Sequence, residues 1–394
     1  MIKKNNGFVV IVALMMVSLM ILLTQQLLQN VTVSSVFIKT MVDRERAEML
    51  ALSGLEIAMF NLLGKQEGKK KKEGGAPVAP ATPPAPAAGS AKGTEKKKLT
   101  EEQRFLQRIL PFLNRWREYT LTEKLDGVDG QIKICISCEH GKININEIFD
   151  FKKQEFKKEY AALLQGLEIK GKFKAGEILK RLEEFLTKRR KKLDDVSELS
   201  SIKGLGHLDI FYKPPKAGRV ISERKKEPSA PNTDLTLQDI FTIWTDKAEL
   251  DPLFFSDSLC AIFTLRRPRA DDAKIMKDKF KNFIENFKKE WAGDWVANWK
   301  NLELFYEQTP KFLQNIKDVF SKQFEPTVYS VLSCGKVGQV EQYLLAIIKK
   351  VDKKQDEEKA QGKDEKASKG QAKPQGEESS KPEKTFKIIR TYWL

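Results

Sequence analysis

Residues 3–28 read KKNNGFVVIVALMMVSLMILLTQQLL, and the kind of membrane segment this is decides how the rest of the chain is read. From Phe8 to Leu28 no residue is charged, and the run is long enough to cross a bilayer as one helix. A secretory leader has a shorter apolar core followed by a small-x-small cleavage site. Here the core is too long, and the sites near Ser34 and Ser35 are poor ones. Lys3 and Lys4 precede the run, which keeps the head cytoplasmic and sends the bulk of the chain across. A single-pass anchor satisfies all of this.

The next stretch, VTVSSVFIKTMVDRERAEMLALSGLEIAMFNLLGK (31–65), contains no Pro. Apolar Val36, Met41, Leu52, Leu55, Ile57 and Met59 mix with Asp43, Arg44, Glu45, Arg46 and Glu48 at roughly helical spacing. The pattern predicts one continuous helix from Phe8 to about Leu63.

At 394 residues the chain has length for two or more cores, and 41% hydrophobic with 31% charged residues suits a globular protein with solvated additions. The net charge of +16 raises nucleic acid or an anionic membrane as partners. Part of that excess lies in the Lys-, Ala-, Pro- and Gly-rich stretch 64–98, either a solvated linker or a basic docking arm. Four cysteines are too few for a disulfide scaffold. Cys135 and Cys138 form CISC inside GQIKICISCEHGKI, whose strand-like alternation puts them on opposite faces, unlike a redox pair at a helix N-terminus. With two histidines and no second close cysteine pair, zinc is disfavoured. No Ser/His/Asp, Cys/His, P-loop or zinc-protease spacing appears, which speaks against an enzyme.

Beyond the linker, LTEEQRFLQRILPFLNRWREYTL (99–121) reads as a short helix, and DGVDGQIKICISCEHGKININEIF (126–149) as turn, strand, tight turn at Glu139–Gly141 and a second strand-like piece. His140 reads as a turn residue, since no second His or carboxylate cluster stands near it. A helix-rich block follows, DFKKQEFKKEYAALLQGLEI and KAGEILKRLEEFLTKRRKKL, with charged outer faces. In IKGLG (202–206), Gly204 and Gly206 suit the turn of a helical hairpin whose amides point outward. Such amides contact phosphates in DNA-binding hairpins, and LTKRRKKL lies close by; but aromatic–basic interleaving is missing, and nucleic-acid binding is the lesser reading. A Phe- and Trp-rich helical stretch (274–320) reads as core, and strand character returns in FEPTVYSVLSCGKV and TFKIIRTYWL, with helix or strand in QVEQYLLAIIKKV. Residues 352–384 form a charged low-complexity loop with nearly balanced signs.

The abrupt junction at Gly7–Phe8 resembles a class III (type IV prepilin) leader, which a membrane aspartyl peptidase cuts after the Gly before methylating the new amine, here that of Phe8. Most subunits of that superfamily carry Glu at the fifth mature position, to neutralise a neighbour's α-amino group. Here that position is Val12. A subunit without the carboxylate cannot be a usual repeating unit, because an uncompensated charge in apolar packing is costly.

In order and spacing, the blocks are similar to the general secretion pathway protein K family, the largest minor pseudopilin of type II secretion. HGKININEI resembles its Gly-Lys-Ile-Asn-Ile-Asn signature through Gly141, Lys142, Asn144 and Asn146, and FLTKRRKKLDDVSELSSIKGLG resembles its helix and Gly-containing turn. LQDIFTIWTDKAELDP resembles the start of the second half, where the family's repeat of the signature has degraded to DKAELDP, and FEPTVYSVLS to FKIIRTYWL resembles the closing strands. The resemblance implies an α+β fold: leader 1–7, transmembrane and stem helix 8–63, linker 64–98, a pilin-like α/β part from 99–150 and 324–394, and an inserted α-helical (helix-hairpin-helix, SAM-like) domain at 151–323. It implies a non-enzymatic inner-membrane subunit with a periplasmic globular part. Its partners would be the prepilin peptidase and the I and J minor pseudopilins, with H as a further one, at the pseudopilus tip. Some members bind calcium; the acidic residues here are scattered and give no cage of six to eight oxygens. The rival is a minor pilin of a type IV pilus serving adhesion or DNA uptake, which shares the leader but is not expected to share GKININ and IKGLG in this order.

Overall fold

The computed structural model describes residues 6–63, 101–167, 176–205, 208–211, 235–265, 306, 316–321, 326–352 and 384–394. Residues 1–5 of the expected leader, the expected linker, Gly206, most of the aromatic stretch and most of the charged loop lie outside them.

Helix α1 (Asn6–Leu63) runs unbroken for 58 residues, as its Pro-free sequence predicts. Ala47, Leu50, Ala51, Leu55, Ala58 and Leu62 recur at three- and four-residue steps and are all buried, forming the one stripe by which the helix docks. The remainder of the globular part begins with α2 (Glu101–Ile109) and β1 (Trp116–Leu121). Reading 99–121 as a single short helix is thereby corrected. The helix stops two residues before Pro111, Asn114 takes a left-handed turn (φ 54°), and WREYTL pairs antiparallel with Gly130–Cys135.

After α3 (Glu123–Asp126) come β2 (Gly130–Cys138), a 3₁₀ turn (Glu139–Gly141), β3 (Ile143–Asn144), the one-turn α4 (Ile145–Ile148), β4 (Phe149–Asp150) and β5 (Glu155–Phe156). The second strand-like piece is thus two short strands around a helical turn. Helices α5 (Lys158–Gln165) and α6 (Glu177–Arg189) follow, then a 3₁₀ segment (Val196–Ser201), α7 (Leu237–Ile240), β6 (Phe241–Thr242), a 3₁₀ turn (Pro252–Phe254), α8 (Asp257–Ile262) and a 3₁₀ turn (Lys317–Val319). The chain closes with β7 (Val328–Val337), β8 (Val340–Asp352) and β9 (Lys384–Trp393).

The main sheet has the order β1-β2-β7-β8-β9, every neighbour antiparallel. It draws two strands from before residue 139 and three from after 327, so the whole stretch between is an insertion. One face carries α1. A Cβ on Gly54 would sit 2.1 Å from Ser333 Oγ and 2.9 Å from Ile132, and one on Gly335 would sit 2.0 Å from the Ala47 carbonyl. Helix and strand backbones therefore meet almost directly, which only glycine and alanine permit. The other face, with Cys135, Ser137, Ser330 and Leu332, lies toward the inserted stretch. Cys135 and Cys138 fall on opposite faces of β2, and no disulfide joins any of the four cysteines.

Candidate functional site: the joint between sheet and insertion

The segment EHGKININEI (139–148) leaves the end of β2 and enters the insertion, and its polar residues turn inward. Glu139 and Lys142, three residues apart across the 3₁₀ turn, form a fully buried ion pair. Lys142 Nζ also donates to Ser330 Oγ of β7 at 3.1 Å, and Thr242 of β6 donates its hydroxyl to the second Glu139 oxygen. Two opposite charges are thus held by each other and by hydroxyls, the condition under which charges tolerate burial. Gly141 is required by contact: a Cβ there would lie 1.8 Å from the Phe254 carbonyl oxygen. The 139–141 turn stacks on the 252–254 turn, with Asp251 N–H donating to the His140 carbonyl at 2.8 Å.

Asn144 accepts from the Asn146 N–H at 3.1 Å, starting α4, while its amide donates to the carbonyl and hydroxyl of Thr245, both at 2.7 Å. Asn146 makes a two-way pair with Leu193, accepting its N–H at 2.7 Å and donating to its carbonyl at 2.9 Å. The first asparagine ties the signature to the loop after β6, whose strand pairs in parallel with β3; the second ties it to the loop after α6. The segment DKAELDP (246–252) shows one element of the same chemistry. Buried Asp251 accepts from Leu253 N–H at 3.0 Å, the same two-residue cap that Asn144 makes.

Beside the joint, Cys138 Sγ lies 3.9 Å from His140 Nδ1. This is no nucleophilic dyad. Burial pushes the Cys138 thiol well up, and burial, then the Lys247 charge, lowers His140 to about 4, so thiol and imidazole are both neutral. Burial also raises Asp251 to about 7. A cavity of about 40 Å³ lined by Ser137, Lys142, Thr236, Asp239 and Ser330 adjoins the pair. It has room for a few waters. The arrangement locks two parts of a chain together.

The positions around the expected cleavage site stand apart from this joint. Gly7 and Phe8 lie in the first turns of α1, Phe8 is 70% exposed, and Val12 is 38% exposed. At the position of the expected helical hairpin the described residues hold a turn. A 3₁₀ segment with a capping box at Asp195 and Glu198 leads into a tight turn closed by Leu205 N–H to the Ile202 carbonyl at 3.0 Å, with Gly204 at φ 94°. Arg181 donates to the Lys203 carbonyl, and Ile202 and Leu205 are buried, so this turn packs inward. The next described helix is the one-turn α7, more than thirty residues on. Among the same residues no three His, Cys, Asp or Glu side chains converge on a metal position, so no calcium cage is assigned to them. Ser330, Thr242, Asp251 and Leu193 complete the joint without any local signal, because each meets the signature from far along the chain.

No protein-family model matches the chain, and no curated protein matches it. Among solved structures, a chain of the crystal structure of the GspK–GspI–GspJ complex from the type 2 secretion system of enterotoxigenic Escherichia coli is similar over 71% of this chain and 82% of that one. The identity is 10% and the TM-score 0.29. The functional reading comes from this chain's own stem, sheet and signature.

Proposed function

We propose that this protein is a minor pseudopilin of a type II secretion system, cut between Gly7 and Phe8, methylated on Phe8 and assembled with the I and J subunits, with H as a further partner, at the pseudopilus tip. The observation that carries the reading is the division of α1. From Val10 to Met41 its large apolar side chains are exposed, while from Ala47 to Leu62 one stripe is locked on the sheet. A helix apolar on all sides needs lipid or other helices around it. A stem that can exchange lipid for neighbouring stems is what a fibre subunit requires. Val12 offers no carboxylate for a following subunit's amine, and an insertion spanning 139–327 is too bulky to repeat at each step of a thin fibre. Both features suit an end position and assembly rather than catalysis.

Mass spectrometry of the mature N-terminus is the test. N-methyl-Phe8 is expected, and an intact Met1 or a cut beyond Ser34 would overturn the reading. For the end position, co-purification with the I and J partners is expected, whereas a stable homopolymer would exclude it.

A further inference from the structure

We propose that the outer edge of β9 accepts, as an added strand, an extended acidic segment of a different protein chain. β9 ends the sheet, and among the described residues no strand pairs with its far side. Ile388, Ile389, Trp393 and Leu394 along it are 44, 39, 49 and 42% exposed. A bulge at Ile389 and cationic Lys387 and Arg390 are devices that also keep edges single, but an edge so protected does not carry four open apolar side chains.

Three other covers are excluded by geometry or sequence. Residues 353–383, which join β8 to β9, contain no Val, Ile, Leu, Met or aromatic residue with which to cover the strip. Lipid is out of reach: Trp393 pairs with Leu344, which pairs with Ser333 beside Gly54. Even counted from Met41, where the exposed apolar run ends, Gly54 lies 13 residues further on, roughly 20 Å along the helix. A second copy fails in both registers. Because α1 runs along the strands, with Ala47 at Gly335 and Gly54 at Ser333, antiparallel pairing of two β9 edges would point the two stems in opposite directions. Parallel pairing needs a two-fold along the strands, which would hold the two stems on opposite faces of the shared sheet and would still set side by side two strands that carry Lys387 and Arg390 and no carboxylate. Lys387 and Arg390 share the face opposite α1, opposite Lys349 and Ile347, while Ile388 and Trp393 share the α1 face. The fitting segment therefore alternates carboxylate and apolar side chains.

Leu394 N–H donates to the Tyr343 carbonyl at 3.0 Å, so by alternation the Thr391 and Trp393 amides point outward. Thr391→Pro therefore removes an outward donor and leaves the β8–β9 ladder whole, with unchanged thermal melting expected. The test takes its probes from the reading above: the full chain, with a photocrosslinking residue at position 389 or 391, is expressed in cells with the I, J and H subunits. An adduct to one of these different chains is expected, reduced at least tenfold by Thr391→Pro and severalfold by Lys387→Glu. No adduct from either position, or one to a second copy of this chain, overturns the proposal; so does an adduct indifferent to both substitutions. If the subunits still co-purify without any adduct, the edge fails and the pseudopilin reading stands.

Discussion

The two faces of the five-stranded sheet are covered by different chemistry. Against α1 the contact is a matter of shape: Ala47, Ala51, Gly54 and Ala58 on the helix, Gly130 and Gly335 on the strands, and no charge between them. Against the insertion it is polar, with Glu139, Lys142, Ser330, Thr242 and Asn144 hydrogen-bonded in the interior. A shape contact tolerates a helix that extends far beyond the sheet, since nothing but close approach fixes it. A polar contact fixes one register, because any shift strands a buried charge. The stem is thus held by fit and the insertion by pairing.

Breaking the polar face should have the largest effect. Lys142→Met leaves Glu139 buried without its cation, and a loss of about 3–5 kcal/mol in folding free energy is expected. Glu139→Leu combined with Lys142→Met should recover most of it, since two apolar residues of similar volume replace the pair. Urea denaturation of the three variants checks this; a double variant no better than Lys142→Met would mean the pair is not the source of the loss. On the shape face, Gly335→Ala sets a methyl group 2.0 Å from the Ala47 carbonyl, a backbone atom that cannot swing away. The expected cost is about 2–3 kcal/mol, seen as a lower urea midpoint together with faster proteolysis after Arg44 and Arg46. A variant as stable as the parent would show that α1 does not approach this closely.

The two faces also differ in how far they can be read from the chain alone. The length of α1 is legible because its spacing is helical within one segment, and the predicted Phe8–Leu63 is close to the observed Asn6–Leu63. Its docking stripe is not: of Val36, Met41, Leu52, Leu55, Ile57 and Met59 only Leu55 belongs to it, and the small residues Ala47, Ala51 and Ala58 that make the close contact carry no strong apolar signal. The signature is visible as a motif, but its chemistry is not, because its partners Leu193, Thr245 and Ser330 stand 47, 101 and 188 residues away from Asn146, Asn144 and Lys142. Burial by distant segments turns an ordinary Glu-x-x-Lys turn into an interior ion pair. β1 was hidden for a different reason. Pro111 marks the helix end locally, but WREYTL declares itself a strand only by pairing with β2.

The polar face has a pH signature that sharpens the contrast further. His140 is held neutral down to about 4 by burial, from a usual 6.5, so the unfolded chain takes up a proton first and stability falls as pH drops from about 6.5 to 4. Asp251 holds its proton up to about 7 rather than 3.8, so stability falls as pH rises from about 4 to 7. The two slopes oppose each other over most of that range, each at most about 1.4 kcal/mol per pH unit. Asp251→Asn should expose the rising slope and His140→Gln the falling one, in urea midpoints measured from pH 4 to 7. Equal pH profiles for the two variants would mean that one of these groups is not buried as described.

The smallest effect belongs to the end of the shape contact. α1 has no basic residue in its last turn, and Arg108 of α2 supplies the missing cation, its Nη2 donating to the Leu62 carbonyl at 3.1 Å. Burial lowers the Arg108 pKa from its usual value, a sign that the guanidinium is held partly out of water to reach that carbonyl. Arg108→Met keeps the apolar stem of the side chain and deletes the donor, and should cost about 1 kcal/mol. Because the loss is local to a helix terminus, hydrogen exchange resolves it best. Amides from Ile57 to Leu62 should exchange roughly fivefold faster, while those of β2 and β7 keep their protection. Uniform acceleration across the sheet would instead make Arg108 part of the joint that holds the whole domain, and the division between fit and pairing would not extend to this end of the helix.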